Sequence, residues 1–244
     1  MAIKYRDDLD LEFLQFCDNC DLKDLSEILM GKPGDTRWSE ELSKDELFNC
    51  CKGDYQKAWR QIAGELQLFG GDAVVRIFRG YGVGYKEILC DVCDKMDVKY
   101  EDIESTIELE EKLLLKVIEK SLDKMTNDER EKFAKQVGVN VLNFMPQTIL
   151  AAIQIAIRQS GFLFYEMAAI IANAVSRAVL GRGLALGANA ALTRWVAIFA
   201  GPIGWAITAI LTIPLISGPA YRVTIPACVF ISYMRQKYIN KDFI

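Results

Sequence analysis

Histidine is absent from all 244 residues of this chain. That absence excludes Ser-His-Asp and Cys-His nucleophile systems, removes the commonest general base and rules out most zinc sites. An enzyme built from this sequence would have to use carboxylates, lysine, tyrosine or cysteine alone, and no spacing here arranges them for catalysis. The expectation is a non-enzymatic protein that needs no cofactor. Acids are scarce in the second half. Residues 139–244 hold only Glu166 and Asp242 against eight cations, whereas residues 1–138 hold 31 acids and 21 bases. The net charge of −4 therefore conceals an acidic first region of −10 and a basic second region of +6. Strand-like alternation is nearly missing, and there is no internal repeat, low-complexity tract or Ser-rich linker. All-α is the expected fold class.

What the chain does have is grease. Hydrophobic residues make up 51% of it, and the mean hydropathy is +0.11. Trp195 to Tyr221 runs 27 residues without a charge and carries Gly201, Pro202, Gly204, Trp205, Pro214, Gly218 and Pro219. As one helix it would reach about 40 Å, beyond the roughly 30 Å of a bilayer's hydrocarbon core. Its glycines and prolines suit a hairpin better than a straight rod. Arg177, Arg182 and Arg194 precede the run, and Arg222, Arg235, Lys237 and Lys241 follow it, so the positive-inside rule gives no orientation. The uncharged stretch 223–234 is too short to cross back. Three readings stay open for 195–221: one membrane span, a re-entrant or interfacial hairpin, and a hairpin buried in a helical bundle.

The organisation is thus an acidic helical region, 1–138, and an apolar, arginine-dotted region, 139–244, ending in a helix at about 220–238. Pro226 should kink that helix or set its start. In the first region, amphipathic helices are expected at 8–17, from a cap at Asp21, and over 44–52, 55–69, 73–79, 84–96, 106–123 and 127–137, with GKPGDT (31–36) as a loop. Capping boxes are expected at Ser43/Glu46, Ser105/Glu108 and Thr126/Glu129, with Gly138 as a helix stop. The start MAIKYRDDLDLEF lacks an apolar signal core, and seven cysteines suit a reducing compartment; both point to a cytoplasmic protein. Five arginines over 139–234 make no phosphate-tracking stripe, so nucleic acid is not an expected partner.

Weaker motifs have plain readings. Cys17-Asp-Asn-Cys20 and Cys90-Asp-Val-Cys93 have metal-site form, yet 69 residues separate the pairs, and Cys17 and Cys93 fall on apolar helix faces. No metal is expected. Gly80-Tyr-Gly82-Val-Gly84 lacks the Lys-Ser/Thr of a phosphate loop. Gly183, Gly187 and Ala191 recur every four residues and suggest a flat helix seam for close packing. Glu108, Glu110 and Glu111 read as a solvated face. Gly70 and Gly71 should end one helix and Asp72 cap the next, with Glu65 placed for either structure or binding.

Two blocks carry a resemblance: Trp59-Arg-Gln-Ile-Ala-Gly-Glu65-Leu-Gln-Leu-Phe-Gly70-Gly71-Asp72, and Ser217-Gly-Pro-Ala-Tyr221-Arg222-Val-Thr-Ile-Pro226-Ala. With the Asp8–Leu14 opening and their order, they resemble the bacterial YaaW family over nearly the whole chain. The CxxC pairs are not part of that pattern. The family's central part is grouped with ubiquinol–cytochrome c chaperones, helical proteins that assist assembly of a membrane-embedded cytochrome. The resemblance implies an all-helical, chaperone-like or assembly role and carries over no catalytic residue. The expected partners are membrane lipid or an apolar protein client, with self-association left open. Gly183, Gly187, Trp195, Gly201, Pro202, Gly204, Trp205 and Pro214 are the candidate contacts. The alternative is a conditional pore-former or membrane-damaging effector that releases the 195–221 hairpin on a trigger.

Overall fold

The computed structural model describes residues 3–31, 40–51, 53–70, 82–184 and 221–243. Every regular element among them is helical, as expected. A 3-10 turn at Glu12–Phe16 leads to α1 (Asn19–Met30), and a second at Leu42–Lys44 leads to α2 (Glu46–Cys50). There follow α3 (Trp59–Gly70), α4 (Tyr85–Lys95), α5 (Thr106–Lys124), α6 (Asn127–Val137), α7 (Pro146–Gln159), α8 (Gly161–Leu180) and α9 (Tyr221–Ile239). The expected helix 73–79, with Gly71, Asp72, Gly187, Trp195, Gly201, Pro202, Gly204, Trp205 and Pro214, lies outside the described residues. So does the whole 195–221 run except Tyr221.

Local chemistry sets several boundaries. At the start of α5, the Glu108 carboxylate accepts the Ser105 N–H at 2.7 Å, while Ser105 Oγ accepts the Glu108 N–H at 3.3 Å. Thr126 and Glu129 repeat the exchange at the start of α6. Each box satisfies amides that have no partner within the helix. Gly138 ends α6 at φ 74°, and Gly181 ends α8 at φ 75°, in a conformation that penalises a Cβ.

Other expectations fail for identifiable reasons. The α2 cap is Asp45, whose carboxylate accepts the Phe48 N–H at 2.8 Å; Ser43 instead bonds Glu40. Asp21 is no cap, because α1 begins two residues earlier and buries Asp21 in its first turn. The stretch 8–17 yields only the short 3-10 turn, with Leu9 and Phe16 left exposed. Pro226 lies inside α9 and does not start it. Gly183 is not on a helix seam. After Gly181 the chain folds back along α8, and the Leu184 N–H reaches Asn173 Oδ1 at 3.0 Å.

The last helix is the axis of the fold. α9 packs against α1, α3, α4, α5 and α8, and every residue from Val223 to Gln236 is buried. A helix enclosed on all sides has no polar face to show water. Tyr85, at the start of α4, lies beside Arg235, while Lys95, at its end, lies 5.6 Å from the ring of Tyr221, so α4 and α9 run antiparallel. α8 is the one helix among the described residues long and apolar enough to cross a bilayer, and two-thirds of its most apolar stretch is buried in the bundle. Buried apolar side chains from Ile3 to Met234 form one contiguous core shared by the acidic and the arginine-dotted regions.

The glycines of the sequence motifs serve close approach. A Cβ on Gly82 would meet the backbone of Gln67 at 2.5 Å, so Gly82 is a packing requirement and no part of a phosphate cradle. Gly82→Ala should cost about 1–3 kcal/mol, the range for overpacking a tight site. Gly161→Ala, where nothing lies within 4 Å, should stay within about 1 kcal/mol of the parent. Urea denaturation checks both, and equal stability of the two variants contradicts the packing argument.

Candidate functional site

On α1 and its cap, carboxylates recur every third residue: Asp18, Asp21, Asp24 and Glu27. Neighbours three apart on a helix are adjacent in space, so the four form a slanting acidic stripe. Asp21 and Asp24 are only 5% and 4% exposed, and buried carboxylates require partners. The partners come from either side of the apolar run. Before it, Arg182 Nη2 lies 2.6 Å from Asp24 and also contacts Glu27. After it, Lys237 Nζ lies 2.7 Å from both Asp18 and Asp21. One helix therefore neutralises a cation on each side of residues 185–220.

Deeper in, α9 carries Arg235. Its Nε donates to Glu110 Oε2 at 2.8 Å, and its Nη2 donates to the Asp10 carbonyl at 2.7 Å. Tyr85 OH donates to the other Glu110 oxygen at 2.8 Å. The guanidinium also lies 4.3 Å from the Phe13 ring centroid, within cation–π range. Phe13 and Phe16 then pack on Tyr238, with centroids 6.0 and 5.8 Å away. Residues 10–21 thus grip the C-terminal end of α9 by charge, backbone and ring contacts together.

Burial governs the electrostatics. It raises the Asp21 carboxyl above its ordinary value, with Lys237 opposing, and raises Glu110 likewise, with Arg235 opposing. Burial would lower Lys237, but Tyr233, Asp21 and Asp18 outweigh it and hold the ammonium charged. Glu110 is fully enclosed and saturated by Tyr85 and Arg235, which suits holding a fold and not exchanging protons with a substrate. Among the described residues, Asp18, Cys20 and Asp21 bring three metal-type ligand atoms within 4.8 Å of one another. The Lys237 ammonium already sits on both carboxylates. Cys17 and Cys93 are buried, as expected, and burial pushes both thiols up to about 12, far from the reactive range.

The motif residues are placed as scaffold. Trp59 is buried edge-on to Tyr5 at 5.2 Å, with the Arg60 guanidinium 4.7 Å from its ring. Glu65 is enclosed and accepts the Glu41 N–H at 3.0 Å. Gln67 clamps the N-terminal segment through both the N–H and the carbonyl of Arg6. Gly70 leaves no room for a Cβ beside Ile88. Tyr221 is half-buried, Arg222 exposed and Pro226 buried. By contrast, Asp18, Asp24, Glu27, Tyr85, Glu110, Arg182, Arg235 and Lys237 were not singled out as a site from sequence. Two signals were available: the three-residue acidic spacing of α1, and the position of Glu110 on the face of Thr106, Leu113, Leu114 and Val117. The reading of Glu110 as solvated is wrong, since it is 0% exposed.

Comparison with known proteins bears on this arrangement. A family described as "Domain of unknown function (DUF3944)" matches residues 5–38, the stretch that includes the grip on α9. A "UPF0174 protein" of Helicobacter pylori (strain J99 / ATCC 700824) is 42% identical over 239 residues, covering 97% of this chain and 94% of the relative. A second from the same strain is 38% identical over 204 residues, 82% of this chain and 98% of the relative. "UPF0174 protein YaaW" of Escherichia coli (strain K12) is 33% identical over 242 residues, 97% of each. No solved structure matches.

Two outcomes follow for the buried pair and the acid range. Glu110→Gln strands Arg235 and should cost about 3–5 kcal/mol in urea denaturation, with a Glu110→Leu/Arg235→Met double variant recovering much of it. A loss below about 1 kcal/mol would assign the pair the weight of a surface contact. On pH, a raised carboxyl favours the folded form as pH falls through its folded value, so Asp21 and Glu110 do not weaken the fold on leaving neutrality. Glu108 and Glu129 are lowered by hydrogen bonds from Ser105 and Thr126. Their contribution is present above the ordinary value of 4.5 and lost as pH falls through the lower folded value. Melting temperature followed from pH 7 downward should hold until that range; a collapse near pH 6 contradicts the assignment.

Proposed function

This chain belongs to the UPF0174 family, and from that premise we propose that it is a non-enzymatic cytoplasmic protein that engages a membrane or an apolar protein client through residues 195–221, in the manner of an assembly factor or chaperone. The observation that carries the reading is the pairing of an uncharged 27-residue run with an acidic helix that holds cations on both sides of it. So long an apolar run is unfavourable in water and needs shelter in the bundle, in lipid or in a client. The acidic body supplies solubility, and α8 and α9 anchor the run to a packed core. The chaperone grouping implied by the sequence blocks points the same way.

The conditional pore-former would use the same run but requires a trigger. Engagement of lipid or a client needs no such trigger and is the simpler reading.

Fractionation of bacterial cells expressing the full chain tests it. The wild type should sediment with membranes or in complexes larger than the free chain, and Ile210→Asp/Leu211→Asp should run as free soluble protein. Equal behaviour of the two removes the apolar run from the function.

A further inference from the structure

α7 turns an uncharged face outward. No residue from Gln136 to Ile157 carries a charge, and Arg158 is the first beyond them. Ile149, Ile153 and Ile157 share the inward face and are buried. On the other side Gln147, Ala151, Gln154 and Ile155 are exposed, and Leu142 and Met145 continue the strip along the entering loop. The neighbouring helices show water a different surface: α5 presents Glu108, Asp123 and Lys124, and α6 presents Asp128, Lys132 and Lys135. We propose that this face of α7 is a self-association surface, on which a second copy of the chain packs its own α7 about a two-fold axis.

Charge selects the occupant. The chain has a net charge of −4, so two copies repel where acidic faces would meet, and a neutral strip is where they can close together. Interface cores are depleted of charge and enriched in methionine, as this strip with Met145 is. The polar side chains narrow the choice. A two-fold interface lays a surface on its own copy and must be self-complementary. Gln147 and Gln154 meet that demand, since a carboxamide is both donor and acceptor and can bond its like. In hydrocarbon the same amides would lack partners, and no basic side chain lies on the strip before Arg158 to draw an anionic surface. Ala151, midway along the strip, lets a second helix approach closely. Area sets the strength. The 14 residues of α7 span about 21 Å, and with the entering loop the strip offers about 300–400 Å². That is under the roughly 800 Å² per partner of a stable interface, so the association is weak and reversible.

The proposal stands apart from the role of residues 195–221 and is tested by sedimentation equilibrium on the full chain. The weight-average mass should rise from 27.5 kDa toward twice that value between about 1 and 500 μM, the range of a small interface. Ala151→Glu and Ala151→Lys each set like charges against each other across the axis, so either alone should weaken association about tenfold or more. An equimolar mixture of the two should restore it to wild-type strength or better, because opposite charges then face each other. Ile155→Ser, which adds no charge, should weaken it about fivefold through lost apolar burial. Leu47→Ser, at an exposed apolar position on α2, should leave it unchanged. Melting curves confirm that each variant is folded. A wild type that stays monomeric throughout overturns the proposal, as does a mixture that associates no better than its components or an equal loss in Leu47→Ser. Loss of association in Ile210→Asp/Leu211→Asp, with the Ala151 variants unaffected, also overturns it and assigns the contact to the apolar run. None of these outcomes alters the fractionation test of the function proposed above.

Discussion

A buried arginine is the constraint on which the architecture turns. α9 is enclosed from Val223 to Gln236, so Arg235 can remain charged only if the surrounding helices supply an anion and acceptors. α5 supplies Glu110, α4 supplies the Tyr85 hydroxyl that occupies the second carboxylate oxygen, and the N-terminal segment supplies the Asp10 carbonyl and the Phe13 ring. Three distant parts of the chain are fixed by one side chain. Apolar packing around α9 provides the bulk driving force, and the polar node fixes which faces meet.

The outer layer repeats this logic at lower cost. Lys237 lies two residues beyond Arg235 and is tied to Asp18 and Asp21, while Arg182 is tied to Asp24 and Glu27. The same N-terminal segment that closes the core therefore also holds the chain on either side of the apolar run. The inner pair is sealed, whereas the outer cations keep partial access to solvent on buried carboxylates, Asp21 and Asp24.

What was legible in the sequence was local. The boxes at Ser105/Glu108 and Thr126/Glu129, the Gly138 stop and the inward faces of Cys17 and Cys93 depend on residues within a few positions, and all-helical character follows from periodicity. The site was not legible because its partners are far apart: 125 residues separate Glu110 from Arg235, 155 separate Glu27 from Arg182, and 216 separate Asp21 from Lys237. Without a fold, Arg235 and Lys237 read as membrane-flanking charges, and Glu110 disappears among the neighbouring acids Glu108 and Glu111. Gly183 shows the same limit. Its four-residue spacing suggests a helix, but Gly181 in the left-handed region ends α8 first and sends the chain back toward Asn173.

Hydrogen exchange on the full chain at neutral pH tests the core claim most directly. The backbone amides of Val223–Gln236 should exchange only through global unfolding, as slowly as any in the protein, because α9 is enclosed and pinned at Arg235. Exchange of those amides as fast as that of the loop at 139–145 would contradict a central helix held by the N-terminal segment.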